Sequence, residues 1–138
     1  NKIMKIQYID FGGKIPERAH YNDAGLDCFS NESFVIAAHS IAKVKLGFGI
    51  ALPDGFVAFL APRSSMNAKG IICELGTIDA GYRGEISAVI SNETNDNLLI
   101  GYGLKIAQLV VLPCIYVELA KSLANDRGEG GFGSTGAK

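Results

Sequence analysis

Apolar residues alternate with other residues along most of this chain, which is the period of a β-strand rather than of a helix. The clearest run lies between residues 44 and 52, where Val44, Leu46, Phe48, Ile50 and Leu52 occupy every second position. This run predicts one half-buried strand. The turn sequence at residues 53–55, Pro-Asp-Gly, follows it, and residues 56–61 predict a strand that returns beside the first.

Shorter apolar runs predict further strands at residues 3–9, 34–38, 86–91 and 106–117, the last with Pro113 at a bend or an edge. The only helix that the pattern predicts is short, around residues 64–69. Many short strands separated by Gly and Pro turns favour an all-β sandwich, jelly roll or barrel.

Composition narrows the class of protein. The 138 residues are 48% hydrophobic, which predicts one domain with a modest core. The net charge of −1 argues against a nucleic-acid binder, and the longest apolar run, residues 109–117, is too short to cross a membrane. Three cysteines without a C-x-x-C pair indicate reduced thiols, so we expect a protein that is not secreted and is cytoplasmic, or in the nuclear or viral-host equivalent.

The composition changes after residue 122, where hydrophobic residues nearly vanish and glycine dominates. We therefore expect a core at residues 1–124 and a Gly-rich arm at residues 125–138 that cannot bury a core of its own. Residues 131–136 of the arm come close to a P-loop, but Ala137 occupies the position of its lysine.

Two stretches of the predicted core carry residues that suit an anion or a metal. Arg63, Ser64 and Ser65 lie at the start of the predicted helix and could bind an anion. The alternative is a simple N-cap beside an exposed arginine. The stretch 23–27, Asp-Ala-Gly-Leu-Asp, ends in Asp27 and is either an Asx turn or part of a site.

Two further stretches carry single polar residues among apolar ones. Asp79 could orient or deprotonate a water, and Tyr82 could cover a flat or sugar-like group. The alternative there is a tight β-hairpin. Gln108 lies inside an otherwise apolar strand, so its amide must bond to backbone or to something bound.

The arm supplies Arg127, Ser134 and Thr135, which suit phosphate, and Phe132, which suits stacking on a base. The sequence offers no Cys/His pair and no Ser-His-Asp candidate. The inventory therefore favours metal-assisted attack of water on a phosphate over covalent catalysis.

Together these stretches resemble the five motifs of the trimeric dUTP pyrophosphatases, the dUTPases, in order and at compatible spacing. They are Ala24-Gly25-x-Asp27, Pro62-Arg63-Ser64-Ser65, Gly76-x-Ile78-Asp79-x-x-Tyr82-x-Gly84, Ala107-Gln108-Leu109 and the arm sequence from Arg127 to Gly136. The resemblance implies a distorted jelly roll, or β-clip barrel, with one short helix and a Gly-rich C-terminal arm. It also implies Mg²⁺-dependent hydrolysis of dUTP to dUMP and pyrophosphate by a homotrimer with sites at subunit interfaces.

The resemblance assigns roles by position. Asp79 would orient the attacking water, Tyr82 would pack under the deoxyribose, and Asp27 would hold Mg²⁺ through water. The phosphates would be bound by Arg63, Ser64, Ser65, Gln108, Arg127, Ser134 and Thr135. The nucleoside would be bound by Cys73, Gly76, Thr77, Ile78, Asp79, Tyr82, Phe132 and Gly133. The arm would act as a flexible lid over a neighbouring subunit's site.

One position departs from the common pattern, since many bacterial relatives have Asn in place of Cys73. Uracil would then be read by main-chain groups. The sequence leaves two alternative functions open. A deoxycytidine triphosphate deaminase shares the fold but carries a catalytic Glu about where residues 88–90 are Ala-Val-Ile here. A non-catalytic binding or regulatory module would be expected to have lost Asp79, Arg63 or the arm, and none is lost.

Overall fold

The computed structural model describes residues 3–122, a part of the chain built from short strands and one four-residue helix. The strands are β1 (Gln7–Asp10), β2 (Leu26–Phe29), β3 (Phe34–Ile36), β4 (Ile41–Lys45), β5 (Phe48–Ala51), β6 (Phe56–Ala61), β7 (Ile71–Cys73), β8 (Gly76–Ile78), β9 (Ser87–Asn92), β10 (Leu98–Ile100) and β11 (Lys105–Pro113). The helix α1 (Ser64–Asn67) lies where the sequence predicted it.

The strands form four antiparallel sheets. The largest has the order β2-β11-β6-β8, the next has the order β4-β9-β7, and β1-β5 and β10-β3 are two-stranded. The predicted all-β class is confirmed, and most neighbours in a sheet are distant in sequence.

The predicted single strand at residues 44–52 is wrong, because the chain breaks between β4 and β5. Gly47 adopts a φ of +75°, in the left-handed region that ends a strand. The alternation nonetheless identified the buried side chains correctly, since all five apolar residues of this run are at most 7% exposed.

The predicted hairpin after the turn at residues 53–55 is also wrong. β6 pairs with β11 and β8, whereas β5 pairs with β1. The turn therefore connects two sheets, which a two-residue period cannot reveal because it reports only which face of a strand is buried.

The core lies between these sheets and contains aliphatic side chains from nearly every strand. Ile86, Ala88 and Ile90 alternate into it as predicted and are at most 3% exposed. Asn92 is fully buried at the end of β9 and donates to the carbonyls of Ile36 and Asp96. These bonds satisfy its amide and fix that end of the strand.

Two of the three cysteines have structural positions in the core. Cys28 and Cys73 are buried, and burial raises the pKa of the Cys28 thiol to about 12 and that of Cys73 to about 11. The thiolate, which is the reactive form, is therefore disfavoured at both positions.

A close backbone contact holds the break between β4 and β5. The Gly47 carbonyl accepts hydrogen bonds from the N–H groups of Phe11 and Gly13. A Cβ at Gly47 would lie 2.4 Å from the Cα of Gly13. This clash is with backbone, so a change of side-chain conformation cannot relieve it.

We expect Gly47→Ala to cost about 2–5 kcal/mol of unfolding free energy, from left-handed strain and overpacking together. Gly55→Ala is the matched control, because Gly55 has a φ of +89° with nothing within 4 Å. It should lose only about 1–2 kcal/mol from strain. Urea unfolding at one protein concentration measures the unfolding free energy of both variants. Equal losses would contradict a role for the close contact between Gly47 and Gly13.

Candidate active site

The largest sheet brings three of the sequence motifs into one row. Asp27 on β2 pairs with Gln108 on β11, which pairs with Ala61 on β6, and Arg63 follows two residues later. The Arg63 Nε lies 3.5 Å from Asp27 Oδ1, and the Lys105 Nζ lies 3.6 Å from Asp27 Oδ2. We call Arg63 and Lys105, together with the Asp27 carboxylate that both contact and the neighbouring Gln108, the cation cluster.

Lys105 was not predicted from the sequence. Its position next to Asp27 depends on a register shift in β11 between Lys105 and Ala107, which residue spacing does not show. The Nη1 of Arg63 also donates to the Lys105 carbonyl at 3.4 Å. The arginine is thus held by two contacts, and its side chain is 28% exposed. The simple N-cap alternative predicted an exposed arginine instead.

Gln108 bonds to backbone, as its apolar surroundings predicted. Its Nε2 donates to the carbonyl of Pro62 at 3.0 Å. Gly25 makes room for the same amide, because a Cβ there would lie 2.5 Å from Gln108 Oε1. Ser64 and Ser65 are exposed at the start of α1 beside this cluster.

A second group of predicted residues lines a separate cavity of about 240 Å³, which we call the β8 pocket. Its lining residues are Lys43, Leu60, Gly76, Thr77, Ile78, Asp79, Tyr82, Glu85, Ile86 and Ser87. The predicted nucleoside residues from 76 to 82 are therefore together. Cys73 does not line the cavity, because its side chain lies in the core.

The loop after β8 presents Asp79 and Tyr82 at this cavity. The Tyr82 N–H donates to the Asp79 carbonyl at 3.1 Å, which closes a turn. The Tyr82 hydroxyl donates to the carbonyl of Glu85 at 2.8 Å, and the side chain remains 47% exposed. The hairpin alternative is wrong, since β8 pairs with β6 and not with β9.

Asp79 and Arg63 lie toward opposite ends of β6. Ile78 pairs with Ala58, and Gln108 pairs with Ala61. These two rows are about 10 Å apart at about 3.3 Å per residue. Asp79 lies beyond the first row and Arg63 beyond the second, so one chain holds these two side chains apart, while the pocket lining reaches back to Leu60 and Gly76.

Residues 3–122 contain no group of three or more His, Cys, Asp or Glu side chains placed to hold a metal. Within the same range, no helix has the length and apolar character needed to cross a membrane. The predicted arm residues, Arg127, Phe132, Gly133, Ser134 and Thr135, lie outside the described residues.

Comparison with known proteins identifies the family. The dUTPase family model matches residues 12–136. This chain belongs to the dUTPase family. It is 42% identical to the deoxyuridine 5′-triphosphate nucleotidohydrolase of Clostridium tetani, over 96% of each chain. The same identity holds for the enzyme of that name from Clostridium acetobutylicum, over 98% of this chain and 97% of the relative.

Solved dUTPase structures share the fold. The dUTPase from phage phi11 of S. aureus superposes with a TM-score of 0.83 at 27% identity, over 91% of this chain and 99% of the other. The Staphylococcus bacteriophage 80alpha dUTPase with dUpNHpp gives 0.81 at 30% identity, over 96% and 99%. A phi11 dUTPase variant, described with a structural Mg(II) ion, gives 0.81 at 28%, over 88% and 98%. The predicted distorted jelly roll is confirmed.

The deaminase alternative is wrong on both family and structure. The position expected for its catalytic Glu falls in β9, where Ala88 and Ile90 are fully buried in the core. A carboxylate at position 88 or 90 would be desolvated among aliphatic side chains, and the exposed position 89 is a valine.

Proposed function

We propose that this chain hydrolyses dUTP to dUMP and pyrophosphate with Mg²⁺, by attack of water on the α-phosphate. The observation that carries the proposal is the β8 pocket, which places the Asp79 carboxylate beside Tyr82 and the main chain of an edge strand. The activity would limit uracil incorporation into DNA and supply dUMP for dTTP synthesis. The three free thiols favour a reducing compartment such as the cytoplasm.

The nucleoside would occupy the β8 pocket. β8 is the last strand of its sheet, so the main-chain groups on its outer edge can pair with a flat base. This suits uracil read by residues 76–78 and requires no amide side chain at position 73. We assign to Cys73 a main-chain role only, because its thiol lies in the core.

Tyr82 would exclude ribose, since its ring forms part of the pocket wall. Asp79 would orient the water and accept its proton. Its side chain is exposed at the pocket, where an ionised carboxylate can act as a general base.

The phosphates would be bound by the cation cluster of another chain. Arg63 and Gln108 are charged or amide donors that suit phosphate oxygens, and the hydroxyls of Ser64 and Ser65 are exposed beside them. The separation along β6 favours a site shared between subunits of a homotrimer. The exposed apolar residues Ile115, Val117 and Leu119 offer surface for such contacts.

Asp27 would hold Mg²⁺ through water. Mg²⁺ is usually bound by one or two carboxylates together with waters and substrate phosphates. A lone carboxylate beside phosphate-binding cations fits a metal that arrives with a triphosphate. The ion would neutralise charge on the phosphates.

The arm would complete the site as a lid. We propose that residues 125–138 form a unit distinct from the core of residues 1–124. Arg127, Ser134 and Thr135 would pair with phosphate oxygens, and Phe132 and Gly133 would cover the base.

Asp79→Asn should lower kcat by roughly a hundredfold to ten-thousandfold, because an amide cannot accept the proton of water. Binding of dUTP should stay close to normal. Pyrophosphate release, measured with dUTP beside dCTP, dTTP and UTP, tests both the role and the substrate. Asp54→Asn is the matched control on an exposed turn and should keep full activity. Substantial turnover by Asp79→Asn would remove this residue from the role.

Removing residues 125–138 should leave a folded protein that binds dUMP weakly and loses turnover of dUTP by orders of magnitude. The triphosphate would lose its charged partners and its shield from bulk water. Removing only residues 137 and 138 is the control and should change little. Melting temperature and pyrophosphate release report folding and activity separately. Normal turnover without residues 125–138 would contradict the lid.

A further inference from the structure

We infer that Glu85 is a positioning residue that fixes the ring of Tyr82 in the β8 pocket and thereby sets the preference for deoxyribose over ribose. The inference rests on the proposed function, in which Tyr82 excludes the 2′-hydroxyl. It adds a residue that lines the same pocket and acts on the sugar preference through Tyr82.

The Tyr82 ring lies directly against the backbone of the next residues. Its hydroxyl donates to the Glu85 carbonyl at 2.8 Å. A Cβ at Gly84 would lie 2.6 Å from the Tyr82 Oη and 2.8 Å from Cζ. The ring position therefore follows the backbone position of residues 84–85.

That backbone is anchored to the break between β4 and β5 through the Glu85 side chain. The Glu85 Oε2 accepts the N–H of Gly47 at 2.9 Å. On either side, the Leu46 N–H donates to the Ile86 carbonyl, and the Ile86 N–H donates to the Phe48 carbonyl. Gly47 lies between these two backbone bonds and has a positive φ. Its N–H donates to the Glu85 side chain.

The anchor itself is rigid. Leu46 and Phe48, on both sides of Gly47, are at most 1% exposed in the core. The loop also touches this segment directly, because a Cβ at Gly49 would lie 2.6 Å from the Gly84 carbonyl oxygen. The Glu85 carboxylate thus ties the wall of the pocket to a segment whose flanking side chains are buried in the core.

The geometry requires an acceptor at position 85 and not a charge. In Glu85→Gln the side-chain carbonyl can still accept the Gly47 N–H, whereas Glu85→Ala leaves that N–H without its partner. The two variants therefore separate positioning from any electrostatic effect of a carboxylate in the pocket.

The experiment compares kcat/KM for dUTP and for UTP in five proteins: wild type, Glu85→Ala, Glu85→Gln, Tyr82→Ala and the double variant Glu85→Ala/Tyr82→Ala. We expect Glu85→Ala to narrow the dUTP-to-UTP ratio by about tenfold, equivalent to about 1.4 kcal/mol. Glu85→Gln should stay near the wild-type ratio. In the Tyr82→Ala background, Glu85→Ala should not change the ratio further.

Three results would overturn the inference and leave the proposed function intact: an unchanged ratio in Glu85→Ala, an equal loss in Glu85→Gln, or additive losses in the double variant. A wild type without dUTP hydrolysis, or a Tyr82→Ala variant with the full ratio, would overturn both. Should Glu85→Ala fail to fold, Tyr82→Phe removes the neighbouring link, the bond from the Tyr82 hydroxyl to the Glu85 carbonyl. It should also narrow the ratio, and an unchanged ratio would overturn the inference.

Discussion

The register of β6 is the constraint on which the rest of the site depends. This strand pairs with β11 along one side and β8 along the other, and the two pairings are offset along its length. Backbone hydrogen bonds hold that offset. Burial also specifies it, since a slip by one residue would turn the buried side chains of the strand outward. Asp79 and Arg63 are therefore held at opposite ends of the strand within a chain, which favours the proposed site shared between two chains.

Glycines with close backbone contacts determine how the loops meet this frame. Gly25 leaves space for the Gln108 amide, and Gly47 packs against Gly13. Gly84 lies under the Tyr82 ring. A Cβ would block each of these contacts. The positions of Gln108 and Tyr82 therefore depend on the neighbouring glycines as well as on their own hydrogen bonds.

The sequence was sufficient for some features and not for others. Alternation identified the buried residues of 44–52, and the motifs singled out Asp79, Tyr82, Arg63 and Gln108, whose roles stay predictions. Alternation could not show the break at Gly47 or the partners of β6, because these depend on backbone angles and long-range pairing. Lys105 and Glu85 were missed for the same reason. The first needs a shift in the register of β11, and the second needs the distant Gly47 N–H.

In the proposed site, Asp79 of one chain works with Arg63 of another. The direct measurement mixes two variants that should each be inactive alone, Asp79→Asn and Arg63→Ala, by unfolding and refolding them together in equal amounts. Random assembly into trimers should restore about a quarter of the wild-type dUTP turnover, because about one site in four would receive both intact residues. If both residues served the same chain, every site would carry one defect. Activity that stays at the level of the separate variants would contradict the account.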